Sequence, residues 1–543
     1  MRLDFSSVFL SKGINYFSED RPLRTFLEYT GFRERSGTLS GLGLYVSEEL
    51  MEEAMFLDHF GRPKLVSYGI DDRRLDAVWL SRSHWDILRR LHGMGVNSSI
   101  YRERDLMTHF LSAYLVSDAG LFCTLTLTGQ TLYALMKYGS GALDRYVERF
   151  AGPDMWLGAT FYTEIQAGSD LANTRTEAVP DGERFRLHGG NKYFASNAGL
   201  ADGAIVTARV RGSPPGIRSV CTFFVPARRD DGTPNYEVRR LKDKLGTVLV
   251  PTGEVILEGS EAYLLGKQGD GIYQALEILT MSRIDDAMAA VGMARKALWE
   301  ACLYASARSA FGRPVVEHPL AQRDLIELES DLEAATVLSL VAADRFSRCI
   351  DERPPYTPLY QYARALSHLA KNLAAWTSDR VTRYAMELMG GRGFLSEYVV
   401  EKLHRDAIVT SIWEGTSNIQ ALDFMEVLPR VREAIQEEVE RVRDASDRAV
   451  SGNLKVALDS VMDTLYGAQE SGTLQYYQKQ IADGFARLMA LTYLYDAYTD
   501  TGERLVRMAA DLYYRRNFTE VHGNLDFSQY TDLYGWMLLG RKG

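Results

Sequence analysis

At 543 residues, 46% hydrophobic and 25% charged, the chain is long enough for three or four domains or layers and too apolar to be disordered. Its 62 basic and 72 acidic residues leave a formal charge of −10, which disfavours a protein whose whole surface neutralises nucleic-acid phosphates. Cys123, Cys221, Cys302 and Cys349 are far apart, without metal-binding spacing, and read as small core hydrophobes in a reducing compartment. The opening MRLDFSSVFLSKG lacks the sustained apolar stretch of a signal peptide and no apolar run reaches membrane-spanning length, so a soluble cytoplasmic protein is expected.

Residues 1–155 read as a helical domain. Apolar periodicity marks 48–60, 85–91 (starting after Ser81 or Ser83), 106–115, 129–138 and 142–150, with connections at 61–63 and 71–74. Residues 156–268 change character. Short β-type runs at 185–187, 192–194, 204–208, 220–225, 236–241 and 254–257 alternate with turn signals at 180–182, 213–216 and 230–232, predicting a small antiparallel barrel or sandwich. From 269 to 450 the spacing predicts long helices over 272–308, 319–348 and 360–389, then a fourth behind residue 416, a bundle arrangement. Residues 451–543 form a further helical extension, with helices expected at 454–465, 475–498 and 504–514. From Val431 to the end there are 13 basic and 17 acidic residues, and Arg504, Arg507, Arg515 and Arg516 fit a solvated helix face better than a basic stripe. The expected fold class is α+β, mainly α.

The stretch SIWEGTSNIQ (411–420) organises this plan. Its one carboxylate, Glu414, lies between Trp413 and a Gly-Thr pair, just ahead of a helix that Thr416 or Ser417 can cap. Shut away from water, such a carboxyl has a raised pKa and serves as a general base; left open, it is an ordinary loop glutamate. In the β region, the turn around Thr163 and Gly168-Ser169 offers backbone and hydroxyl donors for a planar carbonyl-bearing ligand or a phosphate, or is an everyday loop. Phe194 and Ser196, two apart on a strand, share one face, suited to stacking beside a hydrogen bond or to core packing. Arg308 and Phe311 pair a cation with an aromatic ring at a helix end, for a diphosphate and adenine or for the helix dipole alone. Gly390-Gly391 permits close backbone approach or a helix C-cap.

Taken in order, TEIQAGSD (163–170), NKYFASN (191–197), RSAFG (308–312), MGGRGF (389–394) and EKLHRDAIVTSIWEGTSNIQ (401–420) resemble the acyl-CoA dehydrogenase superfamily of flavoproteins. The run at 73–85, RLKDKLG (240–246) and the helical tail look like its AidB-like branch. The resemblance implies the architecture above and the cofactor FAD. It implies Glu414 as catalytic base and places Thr160, Thr163, Gly168, Ser169, Phe194, Ser196, Trp413, Thr416 and Asn418 at the flavin. Arg308, Phe311, Gly390 and Gly391 would meet the FAD of a neighbouring subunit, in a homotetramer built as a dimer of dimers. Ser169, Arg283 and Gly415 would contact an acyl-CoA substrate, and an electron-transfer flavoprotein would take the electrons. No metal is implied.

Three departures stand out. Phe194 occupies a position where many members have Trp, Glu387 one where Gln is usual, and Val248-Leu-Val-Pro-Thr252 is more apolar than the usual run. The implied reaction is α,β-desaturation of an acyl thioester. Its competitors are an AidB-like DNA-associated flavoprotein with weak dehydrogenase activity, disfavoured by the acidic charge, and a non-catalytic acyl-CoA-binding flavoprotein. An oxygen-using oxidase is a lesser variant.

Overall fold

The computed structural model describes residues 9–34, 37–214, 216–519 and 526–533. Residues 1–8 of the opening and Pro215 of the turn at 213–216 lie outside them. The N-terminal helices are α1 Arg21–Tyr29, α2 Thr38–Tyr45, α3 Met51–Phe60, α4 Arg82–Gly93, α5 Ser98–Arg102, α6 Leu106–Val116, α7 Ala119–Tyr138 and α8 Asp144–Ala151. Side-chain caps set their starts. Ser81 accepts from the His84 N–H at 3.2 Å, and Asp105 and Asp118 do the same for α6 and α7. The Asp118 cap explains why α7 starts ten residues before the expected 129.

Where the sequence reading has only a connection at 71–74, the chain forms an antiparallel hairpin, β1 Lys64–Tyr68 with β2 Arg74–Trp79. Leu65, Val66, Val78 and Trp79 are good strand formers, but each strand is too short to stand out against flanking helices. The Val78 N–H donates to the Gly199 carbonyl at 2.8 Å, tying the hairpin to the β domain.

That domain holds β3 Gly158–Phe161, β4 Glu177–Asp181, β5 Arg184–His188, β6 Gly190–Ser196, β7 Gly203–Val210, β8 Val220–Pro226, β9 Glu237–Leu241, β10 Thr252–Leu257 and β11 Ser260–Leu264. Strands β7, β4, β5, β11 and β8 pair in turn and β8 pairs back to β7, a closed barrel with β3 attached; β6, β10 and β9 form a second sheet. All six expected strands are present. The barrel is not wholly antiparallel, because β7 runs parallel to both β3 and β4. Its core gathers Phe161, Val206, Phe223, Val225 and Val255.

The C-terminal bundle consists of α9 Gly271–Ala307, α10 Pro319–Ser347, α11 Pro358–Leu388, the short α12 Val399–Ile408, and α13 Ser417–Ala445. Helix α9 is buried nearly all round, as a central helix must be. The tail, α14 Arg448–Glu470, α15 Leu474–Thr501 and α16 Arg504–Phe518, packs on the bundle. Phe485 meets Phe424 with ring centroids 5.4 Å apart, and the Ser330 hydroxyl donates to the Ala509 carbonyl at 3.0 Å. Three of the four tail arginines are committed to acids: Arg504 to Asp532, Arg507 to Asp447 and Asp511, Arg516 to Asp331. No helix among the described residues is long and apolar enough to cross a membrane.

Candidate functional site

Glu414 lies between the 3-10 turn Val409–Ser411 and α13, with φ at +55°; Gly415 follows at +98°. A glutamate in the left-handed region costs on the order of 1–3 kcal/mol and persists only where its surroundings hold it. Three side chains do so here. Arg283 Nε donates to the Glu414 carbonyl at 3.0 Å, Lys371 Nζ to the Gly415 carbonyl at 2.9 Å, and Gln420 Nε2 to both carbonyls at 2.9 Å. Behind them, Arg283 Nη2 bonds Asp423 at 2.9 Å and His368 Nδ1 meets Gln420 Oε1 at 2.9 Å. Because the Gln420 nitrogen is the donor, its oxygen accepts and His368 Nδ1 carries the proton. Burial, with Arg283 adding to it, holds the His368 pKa well below its ordinary value, so the imidazole is neutral. The backbone N–H of Glu414 has no protein acceptor among the described residues.

The turn leaves no room for a side chain at Gly415. A Cβ there would lie 2.8 Å from Gln420 Nε2 and 3.0 Å from Ile419 Cγ2, at a φ that L residues rarely adopt. Gly415→Ala is expected to destabilise the fold by about 1–3 kcal/mol. Thermal unfolding against Gly452→Ala, whose Cβ meets nothing within 4 Å, is the check.

The Glu414 side chain lines a cavity of about 30 Å³ between α7 (Phe122, Cys123, Thr126), α9 (Ser282, Asp285, Asp286) and Trp413. Burial raises its pKa above the ordinary carboxylate range; Arg283, the Ser282 hydroxyl and Lys371 oppose that rise, and Asp285 adds to it. Asp286 is pushed up to about 8 by burial, against Lys371 and the Trp413 indole N–H, which donates to its Oδ1. Larger hollows, about 380 Å³ beside Trp156 and about 590 Å³ between α11 and the tail, do not include Glu414.

The β domain supplies the other wall. The Ser196 hydroxyl lies 3.1 Å from that of Thr252 and near the Cys123 thiol, which burial pushes up to about 12, so Ser196 stands behind the cavity lining. Lys244, lowered to about 8 by burial, donates to Thr252 at 3.1 Å. Phe194 is 57% exposed, with the Lys242 ammonium 5.0 Å from its ring. Its ring is therefore not packed in the core. The Thr163 carbonyl accepts the Tyr193 N–H at 2.8 Å, and a Cβ on Gly168 would sit 3.1 Å from Thr163 Cγ2. Buried Glu164 anchors this turn: burial raises its pKa, but Lys192 at 2.9 Å and Thr176 outweigh that and hold it at about 2. Ser169 is exposed at the turn, and Thr160 stands on β3 opposite Ile205.

Thr416 is the N-cap of α13 without a side-chain cap bond, and Asn418 is exposed in its first turn, leaving the amide end of a 29-residue helix for an anion. Arg308 and Phe311 are elsewhere, at the far end of α9 on a tight hairpin, with Phe311 98% exposed at φ +51°. Twenty-five helical residues separate Arg283 from Arg308, a rise of about 38 Å. Gly390 and Gly391 are likewise open, with nothing within 4 Å of an added Cβ. Glu387, at 3.7 Å from Arg383 one turn earlier, has its charge met locally.

The model for the acyl-CoA dehydrogenase C-terminal domain matches residues 269–428, that for the middle domain 159–260, and that for the adaptive response protein AidB N-terminal domain 8–154. An acyl-CoA dehydrogenase of Bacillus subtilis (strain 168) is 34% identical over 281 residues, 51% of this chain and 69% of that one. The chain belongs to the acyl-CoA dehydrogenase family. The putative acyl-CoA dehydrogenase AidB of Escherichia coli (strain K12) is 29% identical over 443 residues, 76% of this chain and 78% of that one. Two solved structures share the fold: Caenorhabditis elegans ACDH-11 in complex with C11-CoA (TM-score 0.82, 24% identity, 97% and 95% of the two chains covered) and an acyl-CoA dehydrogenase of Bacillus anthracis complexed with FAD (0.73, 19%, 100% and 95%). The residues around this turn and cavity whose part was missed from sequence are Asp285, Asp286, His368, Lys371, Gln420, Cys123 and Lys244. The signal available was Asp285-Asp286 itself, two adjacent acids inside an Ala- and Met-rich helix.

Proposed function

We propose that the protein is an FAD-dependent acyl-CoA dehydrogenase that desaturates an acyl thioester between Cα and Cβ, with Glu414 as the base. The observation that carries the reading is the Glu414 carboxyl, raised in pKa by burial and held beside a small cavity by a strained, triply anchored turn.

The residues present fit FAD. The exposed Phe194 ring and the Ser196 hydroxyl suit a flat ring with hydrogen-bonding edges, and the uncapped amide end of α13 suits a diphosphate. Thr160, Thr163, Gly168, Ser169, Trp413, Thr416 and Asn418 complete that wall. When bound, FAD supplies the acceptor for the hydride that leaves Cβ. Arg308 and Phe311, about 38 Å along α9 from Arg283, serve the same wall in a second copy, as do Gly390 and Gly391. A homotetramer follows as a dimer of such pairs. An electron-transfer flavoprotein is the acceptor proposed to reoxidise the enzyme.

Glu414 removes the α-proton as the hydride leaves Cβ, and the product is the enoyl thioester. Its own free N–H is placed to receive the charge that builds on the thioester oxygen. Arg283 and Lys371 keep the turn in place and favour the ionised base. Since Glu414 works ionised and burial raises its pKa, kcat/KM is expected to climb with pH along a limb above the ordinary Glu value of about 4.3. A pH profile with the limb at the ordinary value removes burial from the account. DNA association draws little support from the tail, where three of the four arginines at 504, 507, 515 and 516 are paired with acids.

A further inference from the structure

The cavity beside Glu414, walled largely by apolar groups, also holds two carboxyls that the reaction does not require. It has room for about two or three water-sized groups, since one needs roughly 10–15 Å³ of such volume. Two carboxyl groups from one turn of α9 face it, Asp285 at 2% and Asp286 at 5% exposure, and Asp285 Oδ1 and Asp286 Oδ2 have no hydrogen-bond partner among the described residues. The Thr126 hydroxyl stands near Asp285 without completing a hydrogen bond. The Lys371 ammonium is 3.8 Å from Asp286 Oδ2, beyond hydrogen-bond length.

The free oxygen of Asp285 has a settled role. His109 Nδ1 faces the Val96 carbonyl at 3.1 Å and therefore carries a proton; its Nε2 faces Asp285 Oδ2 at 3.0 Å, so one further proton is shared along that contact. Whichever side holds that proton, Asp285 Oδ1 remains an acceptor. An apolar tail reaching these carboxyls would displace water and leave buried oxygens unpaired, whereas a donor on the tail would satisfy them.

We infer that the acyl group accepted here is short and carries a hydrogen-bond donor, a hydroxyl or an ammonium, beyond its β-carbon, received by Asp285 and Asp286. This rests on the acyl-CoA dehydrogenase reading. Asp285 and Asp286 are then specificity-determining residues, in no contact with the departing proton.

Calorimetric binding of four thioether analogues to the FAD-loaded protein tests it, because S-butyl-, S-(4-hydroxybutyl)-, S-(4-aminobutyl)- and S-octyl-CoA lack the carbonyl and cannot be desaturated. The hydroxybutyl or aminobutyl analogue is expected to bind about tenfold or more tighter than the butyl one, with octyl weaker still. The tighter of the two polar analogues identifies hydroxyl or ammonium as the donor. Asp286→Leu is expected to reverse the preference towards butyl, and the gentler Asp286→Asn to remove the ammonium's advantage. Butyl or octyl binding as tightly as the polar analogues in the unmodified protein overturns the inference while leaving the dehydrogenase reading standing. A polar preference unchanged in both variants overturns the assignment to Asp286. If none of the four binds, the inference and the acyl-CoA reading fall together.

Discussion

Glu414→Gln is expected to leave a folded, yellow protein that no longer reduces its flavin with any acyl-CoA, a loss of at least about a thousandfold in kcat/KM. The amide matches the carboxyl in size, and the contacts that hold the turn run to the carbonyls of residues 414 and 415, not to the side chain. The change therefore removes the proton acceptor without removing its support. General-base groups contribute roughly 10²–10⁴-fold where another group or water substitutes in part. Here burial leaves little room for water to substitute: the cavity holds only a few such molecules. The neighbouring acids are poor stand-ins, because Asp285 is committed to His109 and Asp286 to Trp413. Turnover of the variant within tenfold of the parent would remove Glu414 from the role.

The largest effect on stability is expected at Arg295, far from this chemistry. Its guanidinium, 1% exposed, bonds both Glu329 oxygens at 2.9 and 2.7 Å and Glu333 at 2.6 Å, and lies 3.9 Å from Asp20. Those acids come from α10 and from the residue that caps α1, so one cation from α9 joins the N-terminal helices to the bundle. Burial raises the pKa of Glu333, with Glu329 adding to the rise and Arg295 opposing it; burial also raises Asp20, again against Arg295. Arg295→Met leaves three buried carboxyls without their cation and is expected to cost about 3–5 kcal/mol. The sign of the pH dependence follows. As pH falls the orphaned carboxyls protonate and become neutral, so the deficit against the parent shrinks; as pH rises it grows. Urea midpoints of both proteins across pH are the measurement. An unchanged midpoint at neutral pH would show that the cluster holds nothing together.

Much of this was legible from residues because the patterns were long or local. Helices of 29–37 residues announce themselves by period, and α9, α10 and α11 lie within two residues of the expected bounds. The six strands with β-branched and aromatic runs were visible, whereas β3, β4 and β11 were not: β3 is a four-residue strand rich in small residues, and β4 contains Pro180, read as a turn. Pro180 is tolerated near the strand end, where the chain turns at Gly182. Glu414, Trp413, Gly415, Arg283 and Ser196 were expected because motif order supplied them; Glu414 and Trp413 line one cavity, and Arg283 bonds the Glu414 carbonyl behind it. Lys371, Gln420, His368 and the two α9 aspartates escaped notice because their significance is tertiary. Each looks like an ordinary helical residue until α9, α11 and α13 close around residue 414.

The central claim is that Glu414 pulls a proton from the α-carbon of a thioester. Wash-in of solvent deuterium measures that step most directly: a short-chain acyl-CoA is incubated anaerobically in D2O with the FAD-loaded protein, and the α-carbon is followed by mass spectrometry. The account predicts deuterium at the α-carbon with the unmodified protein and none above the protein-free rate with Glu414→Gln. Equal exchange with both proteins, or desaturation by the variant at the parental rate, would contradict it.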